Sequence, residues 1–324
     1  MTPPDNAAGL IADIGATNAR FALVRPDSRT SSARSYALDD YASLFDALDA
    51  YLIEEAPSAR PTEAVLAVAS PITGDEVVLT NHAWTFSIEA VRRHFRLRRL
   101  RVINDFAAIA LAIPHLGAND RMQVGEGAPA SDAPIGIVGP GTGLGVSALV
   151  PTPSGPVAVA AEGGHVTMAP GDAREGAILE IMRSRYDHVS AERVLSGPGL
   201  VNLYNALCEL AKQPAAPFTP PQITSPRIWN EDPRTREATM MFCAMLGTVA
   251  GNLALTLGAR GGIYIAGGIV PKLGAVFAAS AFRKRFEEKG RLQPYLARIP
   301  TYVITHSFPA FIGLAALLAE KRAH

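Results

Sequence analysis

Apolar residues along the chain fall into two rhythms. Short runs rich in Ile, Leu, Val and Ala predict strands near residues 9–14, 20–25, 64–69, 101–104, 135–139, 145–150, 262–266 and 301–305. Apolar positions three and four apart predict helices over 41–53, 87–96, 105–113, 173–185, 198–212, 234–258, 272–288 and 309–321. Strands alternating with helices imply an α/β architecture. The stretch QPAAPFTPPQITSP (213–226) is proline-dense and polar, and it reads as a surface excursion rather than an element.

One polar residue interrupts this pattern where it should not. In LIADIGATNARFALV (10–24) the first apolar run carries Asp13 near its end. A carboxylate in a buried strand gains nothing unless it is paired or binds a cation, because desolvating it alone costs several kcal/mol. A hairpin turn using Gly15 and Asn18, with Asp13 capping a stray N–H, explains the stretch equally well. A second copy follows: IADIGATNARFALV (11–24) and IVGPGTGLGVSALV (137–150) are both strand, glycine turn, strand units, with Thr17 and Thr142 in the turns. Turns of small residues with successive N–H groups can close on phosphate oxygens, so two such turns could clamp a triphosphate.

Size and composition narrow the field. At 324 residues and 34.2 kDa, length favours two domains. Thirty basic residues balance thirty acidic ones, which is not the electrostatic footprint of a nucleic-acid binder. The basic run from Arg92 to Arg99 reads as the solvated end of a helix. MTPPDNAAG lacks the features of a leader, and no apolar stretch is expected to reach the roughly 18 uninterrupted residues of a membrane span, which points to the cytoplasm. Cys208 and Cys243 make neither a disulfide framework nor a CxxC pair. No Gly-Lys dipeptide occurs, so there is no P-loop; GPGTGLG fails GxGxxG at Leu144; HExxH and GxSxG are absent.

Eight motifs taken in order carry a resemblance: DIGATNARFAL (13–23), ASPITGD (69–75), TNHAWTF (80–86), INDFAA (103–108), GPGTGLG (139–145), EGGH (162–165), SAERVLSGPGL (190–200) and IAGGIVPK (265–272). Together they resemble the sugar kinases of the actin, hexokinase and heat-shock ATPase superfamily, most closely the bacterial glucokinase family. The resemblance implies an α/β, two-lobed actin-like ATPase (ribonuclease H-like) fold with an interlobe cleft. Residues 1–115 plus about 306–324 would form the small lobe and 116–305 the large one. It further implies ATP and glucose as substrates, Mg²⁺ as cofactor, and a homodimer that binds neither nucleic acid nor membrane. Zinc is not expected, because related repressor-type sugar kinases carry a cysteine cluster soon after Glu-x-Gly-His and this chain has none before Cys208. By the same resemblance the nucleotide meets Asp13, Ile14, Gly15, Ala16, Thr17 and Asn18 in the first turn, Gly141, Thr142 and Gly143 in the second, and Gly267 and Gly268 beside the adenosine.

Phosphoryl transfer to a sugar hydroxyl needs in-line positioning, charge neutralisation and a proton acceptor. Asp105 is the candidate base: it follows one apolar run and opens another, and the resemblance of IND (103–105) to the family motif implies that role. A helix N-cap would use the same residue type. Glucose hydroxyls both donate and accept, so a specific pocket mixes partner types; His165 alone reads as a core histidine and Glu192 alone as a surface acid, but the matched motifs imply that Asn104, Asp105, Glu162, His165 and Glu192 supply that mixture. Asn81 and His82 are either neighbours of the sugar or a structural turn. A carboxylate facing the γ-phosphate would repel it, so Asp13 is expected to act on Mg²⁺ through water. The alternatives are a kinase for another hexose or an aminosugar, and a sugar-sensing regulator on the same fold. The regulator is disfavoured because fewer than ten residues precede the first predicted strand.

Overall fold

The computed structural model describes residues 9–25, 29–57 and 60–319. The chain forms two compact units, the first from residues up to Gly117 with 157–160 and those from His306 onward, the second from Ala118–Pro156 and Ala161–Thr305.

The first unit is built on seven strands: β1 (Gly9–Ile14), β2 (Asn18–Val24), β3 (Thr30–Ala37), β4 (Glu63–Val68), β5 (Glu76–Val78), β6 (Thr85–Ser87) and β7 (Arg99–Asn104). Five form a sheet in the order β3-β2-β1-β4-β7, and β5 and β6 pair separately. Strands β1 and β4 are nearly continuous apolar runs because parallel strands are covered on both faces. Strand β3, TSSARSYA, is mostly exposed and has no apolar alternation, so the sequence pattern does not predict it. Helices α1 (Leu44–Glu55), α2 (Ile88–His94) and α3 (Asp105–Ala112) cover the sheet together with a C-terminal helix, Pro309–Ala319. The last part of the predicted helix 309–321 lies outside the described residues.

The basic run divides between two elements. Arg92 pairs with Glu89 within α2, and Arg98 bonds Glu63, so the run is an ion-paired connection between α2 and β7 as well as a helix end.

The second unit repeats the plan. The second sheet consists of β8 (Arg121–Gln123), β9 (Ile135–Pro140), β10 (Leu144–Val150), β11 (Val157–Ala161), β12 (Gly262–Ile265) and β13 (Thr301–Ile304), ordered β11-β10-β9-β12-β13-β8. Positions two to five reproduce β2-β1-β4-β7 of the other sheet: an antiparallel hairpin followed by two parallel strands. The duplicated sequence motif is the hairpin at the same place in each sheet.

Around this sheet lie α4 (Ala173–Arg183), α5 (Gly197–Leu210), α6 (Pro220–Ile223), α7 (Pro226–Glu231), α8 (Pro233–Leu257), α9 (Val270–Leu273), α10 (Ala275–Ala278), α11 (Phe282–Glu287) and α12 (Gln293–Ala297). Three expectations need correction. The predicted helix 272–288 breaks into pieces at Gly274, whose φ of 51° does not continue a right-handed helix. The proline-dense stretch holds the capped turn α6, and its Ile223 is fully buried while its carbonyl accepts bonds from Trp229 and Thr239. Helix α8, finally, is long and apolar enough to cross a membrane by length and composition alone. Its apolar residues, Phe242, Met245 and Leu246 among them, are buried in the core.

Candidate active site

In the first unit the parallel strands end level with one another. Ile14 of β1 lies opposite Val68 of β4, which lies opposite Asn104 of β7. With strands about 4.8 Å apart, Ile14 and Asn104 stand on the order of 10 Å from each other along one sheet edge. The carboxyl edge of parallel strands is where α/β folds bind ligands, because strand ends and helix starts both turn polar backbone there.

Asn104 caps α3: its Oδ1 accepts the N–H groups of Phe106 at 2.9 Å and Ala107 at 3.2 Å. The cap is therefore Asn104 and not Asp105, which is the first helical residue and accepts Phe106 N–H through Oδ1 at 2.9 Å. Capping engages the Asn104 carbonyl oxygen and directs its ligand chemistry to the Nδ2 amide, a donor.

The turn between β1 and β2 is closed by Gly15 N–H on the Asn18 carbonyl at 2.9 Å and pinned by Leu38 N–H on the Thr17 carbonyl at 3.0 Å. Asn18 Nδ2 donates to Thr17 Oγ1 at 3.0 Å, and Ala69 N–H takes the Ile14 carbonyl. Among the described residues no acceptor bonds the successive N–H groups of Ala16 and Thr17. The second turn matches it. Gly141 N–H donates to the Gly143 carbonyl at 2.8 Å, and the N–H groups of Thr142 and Gly143 have no acceptor among the described residues. Successive unbonded N–H groups on a turn form a concavity for anions.

Asp13 is paired. Its register partner across the hairpin is Arg20, whose guanidinium donates to Oδ2 at 3.1 Å. Counting outward from the turn identifies this partner in the sequence, a signal the apolar pattern alone passes over. Burial pushes the Asp13 carboxyl above its ordinary value, more than Arg20 pulls it down. The folded chain thus holds the Asp13 proton more tightly than the unfolded chain does. The stabilising contribution is full below the unfolded value of 3.8 and is lost as pH rises through the folded one. Asp13→Asn stays neutral throughout, so its Tm relative to wild type is expected to climb as pH rises above about 4. A variant that loses Tm over that range would show that the Arg20 pair outweighs burial.

The second unit gathers its residues around the start of β10. Ala266 N–H donates to the Val138 carbonyl at 2.9 Å, which sets the end of β12 beside the β9–β10 turn. Gly267 has φ +82°, and a Cβ there would run into the Pro140 carbonyl, so the fold itself demands this glycine. A Cβ on Gly268 would meet nothing within 4 Å, so the protein's own packing does not explain that one.

Glu162 precedes and His165 ends a single 3-10 turn, with Nε2 and Oε2 3.9 Å apart and both side chains more than half exposed. Gly164 inside the turn packs against the Leu144 carbonyl, and Glu192 Oε2 accepts the Leu144 N–H at 2.8 Å. Gly141, Thr142, Gly143, Glu162, His165 and Glu192 thus share one locality. Sequence reasoning missed Leu144, which contacts both Gly164 and Glu192. His82 belongs to a structural turn: it pairs with Asp39 at 3.3 Å and accepts the Trp84 N–H at 3.3 Å.

Two sheets that share a hairpin followed by two parallel strands, each hairpin turn carrying successive unbonded N–H groups, form the architecture of an actin-like ATPase fold. The family described as Glucokinase matches residues 10–321. A glucokinase of Paramagnetospirillum magneticum is 52% identical over 314 residues, covering 97% of this chain and 98% of that protein. A glucokinase of Aromatoleum aromaticum is 49% identical over 315 residues, covering 97% of this chain and 95% of that protein. The crystal structure of a glucokinase from an Antarctic psychrotroph superposes with a TM-score of 0.86 at 36% identity, over 97% of this chain and 99% of that one. The chain belongs to the glucokinase family.

Proposed function

We propose that this chain transfers the γ-phosphoryl group of ATP to the 6-hydroxyl of D-glucose, with Asp105 accepting the hydroxyl proton. The observation that carries the reading is the pair of matching turns, each offering two successive unbonded N–H groups, on a chain of the glucokinase family. In the first unit, Ile14 to Asn18 would receive phosphate oxygens from the backbone side. Asp105 would stand at the reacting hydroxyl, and Asn104 would donate its amide to a neighbouring one. In the second unit, the Gly141–Gly143 turn would receive phosphate, Gly267 and Gly268 would line the adenosine, and Glu162, His165 and Glu192 would hold the remaining sugar hydroxyls. Carboxylates accept from hydroxyls and an imidazole can do either, which suits a ligand whose hydroxyl groups do both.

Asp13 is the residue proposed to hold hydrated Mg²⁺. Arg20 bonds its Oδ2, and Oδ1 is the oxygen available to a metal-bound water. A single carboxylate fits an ion that keeps several waters. When bound, the ion neutralises charge on the phosphates. Family membership also supports a cytoplasmic location and a homodimer, which light scattering on the purified protein checks.

A panel of hexoses and aminosugars assayed by ADP release tests the substrate. Glucose is expected to give the highest kcat/KM. A higher value for another hexose or for an aminosugar would reassign the substrate and leave the kinase reading in place.

A further inference from the structure

Glu192 does something in the fold that sugar binding does not require. Its Oε2 accepts the Leu144 N–H at 2.8 Å, where the β9–β10 turn enters β10. Five residues later the same segment grips the other end of that turn, because Gly197 N–H donates to the Gly141 carbonyl at 2.8 Å. Buried Ser196 ties the two grips together: its Oγ donates to the Glu192 carbonyl at 2.8 Å and accepts the Gly199 N–H at 3.0 Å. A Cβ on Gly143 would overlap Glu192 Oε2. The carboxylate therefore occupies the space that a side chain at 143 would fill.

We propose that Glu192 is a positioning residue for the Gly141–Leu144 turn, acting through Leu144 to hold the Thr142 and Gly143 N–H groups in the arrangement that receives the nucleotide polyphosphate. Gly143 is small in order to admit that carboxylate. The inference rests on the nucleotide reading of the turn and not on the sugar contact of Glu192. A hydrogen bond to a charged acceptor is among the stronger ones, so its loss is felt at the turn. Charge itself is a drawback beside a polyphosphate. An amide that keeps the acceptor oxygen and drops the charge should serve the turn at least as well.

The test is calorimetric affinity for the Mg²⁺ complex of a non-hydrolysable ATP analogue, measured without sugar, together with amide exchange at Leu144. Glu192→Ala is expected to weaken the analogue about tenfold and to speed Leu144 exchange, as loss of a charge-assisted bond does. Glu192→Gln should bind within about twofold of wild type or more tightly and keep Leu144 protected, since its amide oxygen still accepts the bond. Gly143→Ala leaves Glu192 in the chain but displaces its carboxylate, so it should behave as Glu192→Ala does. The double variant should be no more than about twofold weaker than Glu192→Ala, the non-additivity of two changes breaking one contact. Analogue affinity within about twofold of wild type in Glu192→Ala would overturn the proposal, as would additive losses in the double variant. Thr142→Pro removes one N–H of the turn. If it leaves analogue affinity intact, the nucleotide reading of the turn fails, whereas a loss there with an unaffected Glu192→Ala rejects the positioning role alone.

Discussion

Asp105→Asn is expected to lower kcat by about 10² to 10⁴, the usual cost of removing a general base, while glucose still binds. The fold should tolerate it. Asn104 caps α3 through its own oxygen, and an amide at 105 retains the oxygen that accepts the Phe106 N–H. What the amide cannot do is take a proton at neutral pH. The loss should fall on kcat, with glucose KM changed only a few fold, because an interaction used in the transition state lowers kcat and kcat/KM together. Turnover within about tenfold of wild type, a difference of only about 1.4 kcal/mol, would leave Asp105 as a helix-start residue and place the base elsewhere.

Gly313→Ala carries the largest expected effect on stability. Gly313 is buried on the C-terminal helix where it packs on α3, and a Cβ there would overlap the Ala108 carbonyl and crowd the Ala112 nitrogen. Both obstacles are helix backbone, which cannot rotate away as a side chain can. Overpacking of this kind costs about 1–3 kcal/mol or more, and here the two helices must separate to absorb it. A fall of several degrees in the Tm of the first unit is expected, at roughly 2–4 °C per kcal/mol in a unit of this size. Gly176→Ala is the control: Gly176 lies within α4, where a Cβ would meet nothing within 4 Å, and alanine is the better helix former. If Gly313→Ala melts no lower than Gly176→Ala, the close approach of the two helices does not constrain the fold.

Amino-acid order alone determined the central strands, the two glycine hairpins, most of the long helices and the family. These features are written locally: β1, β4, β9 and β12 are mostly apolar runs, and the turn residues between the hairpin strands are small. Asn104 and Asp105 were legible for the same reason, since a strand that ends on two polar residues before an apolar helix marks the sheet edge. Which of the two caps the helix was decided by backbone geometry. Edge strands escaped the pattern. Strands β3, β5, β6, β8 and β11 exist because a neighbour supplies hydrogen bonds, and an exposed or very short strand needs no apolar alternation of its own.

The same distinction governs the site. Glu162, His165 and Glu192 could be picked out by residue type and motif, but 48 positions separate Leu144 from Glu192. No periodicity reports a bond of that span, whose closure is set by the packing of β10 against the segments between them. Asp13 lies between the two cases. Its acidity in an apolar run allowed a paired partner, a cation or a capping role, and the hairpin register set it opposite Arg20. Local patterning thus set what each segment could become, and long-range packing decided which polar groups found each other. Only in the folded structure does burying one group depend on what lies opposite.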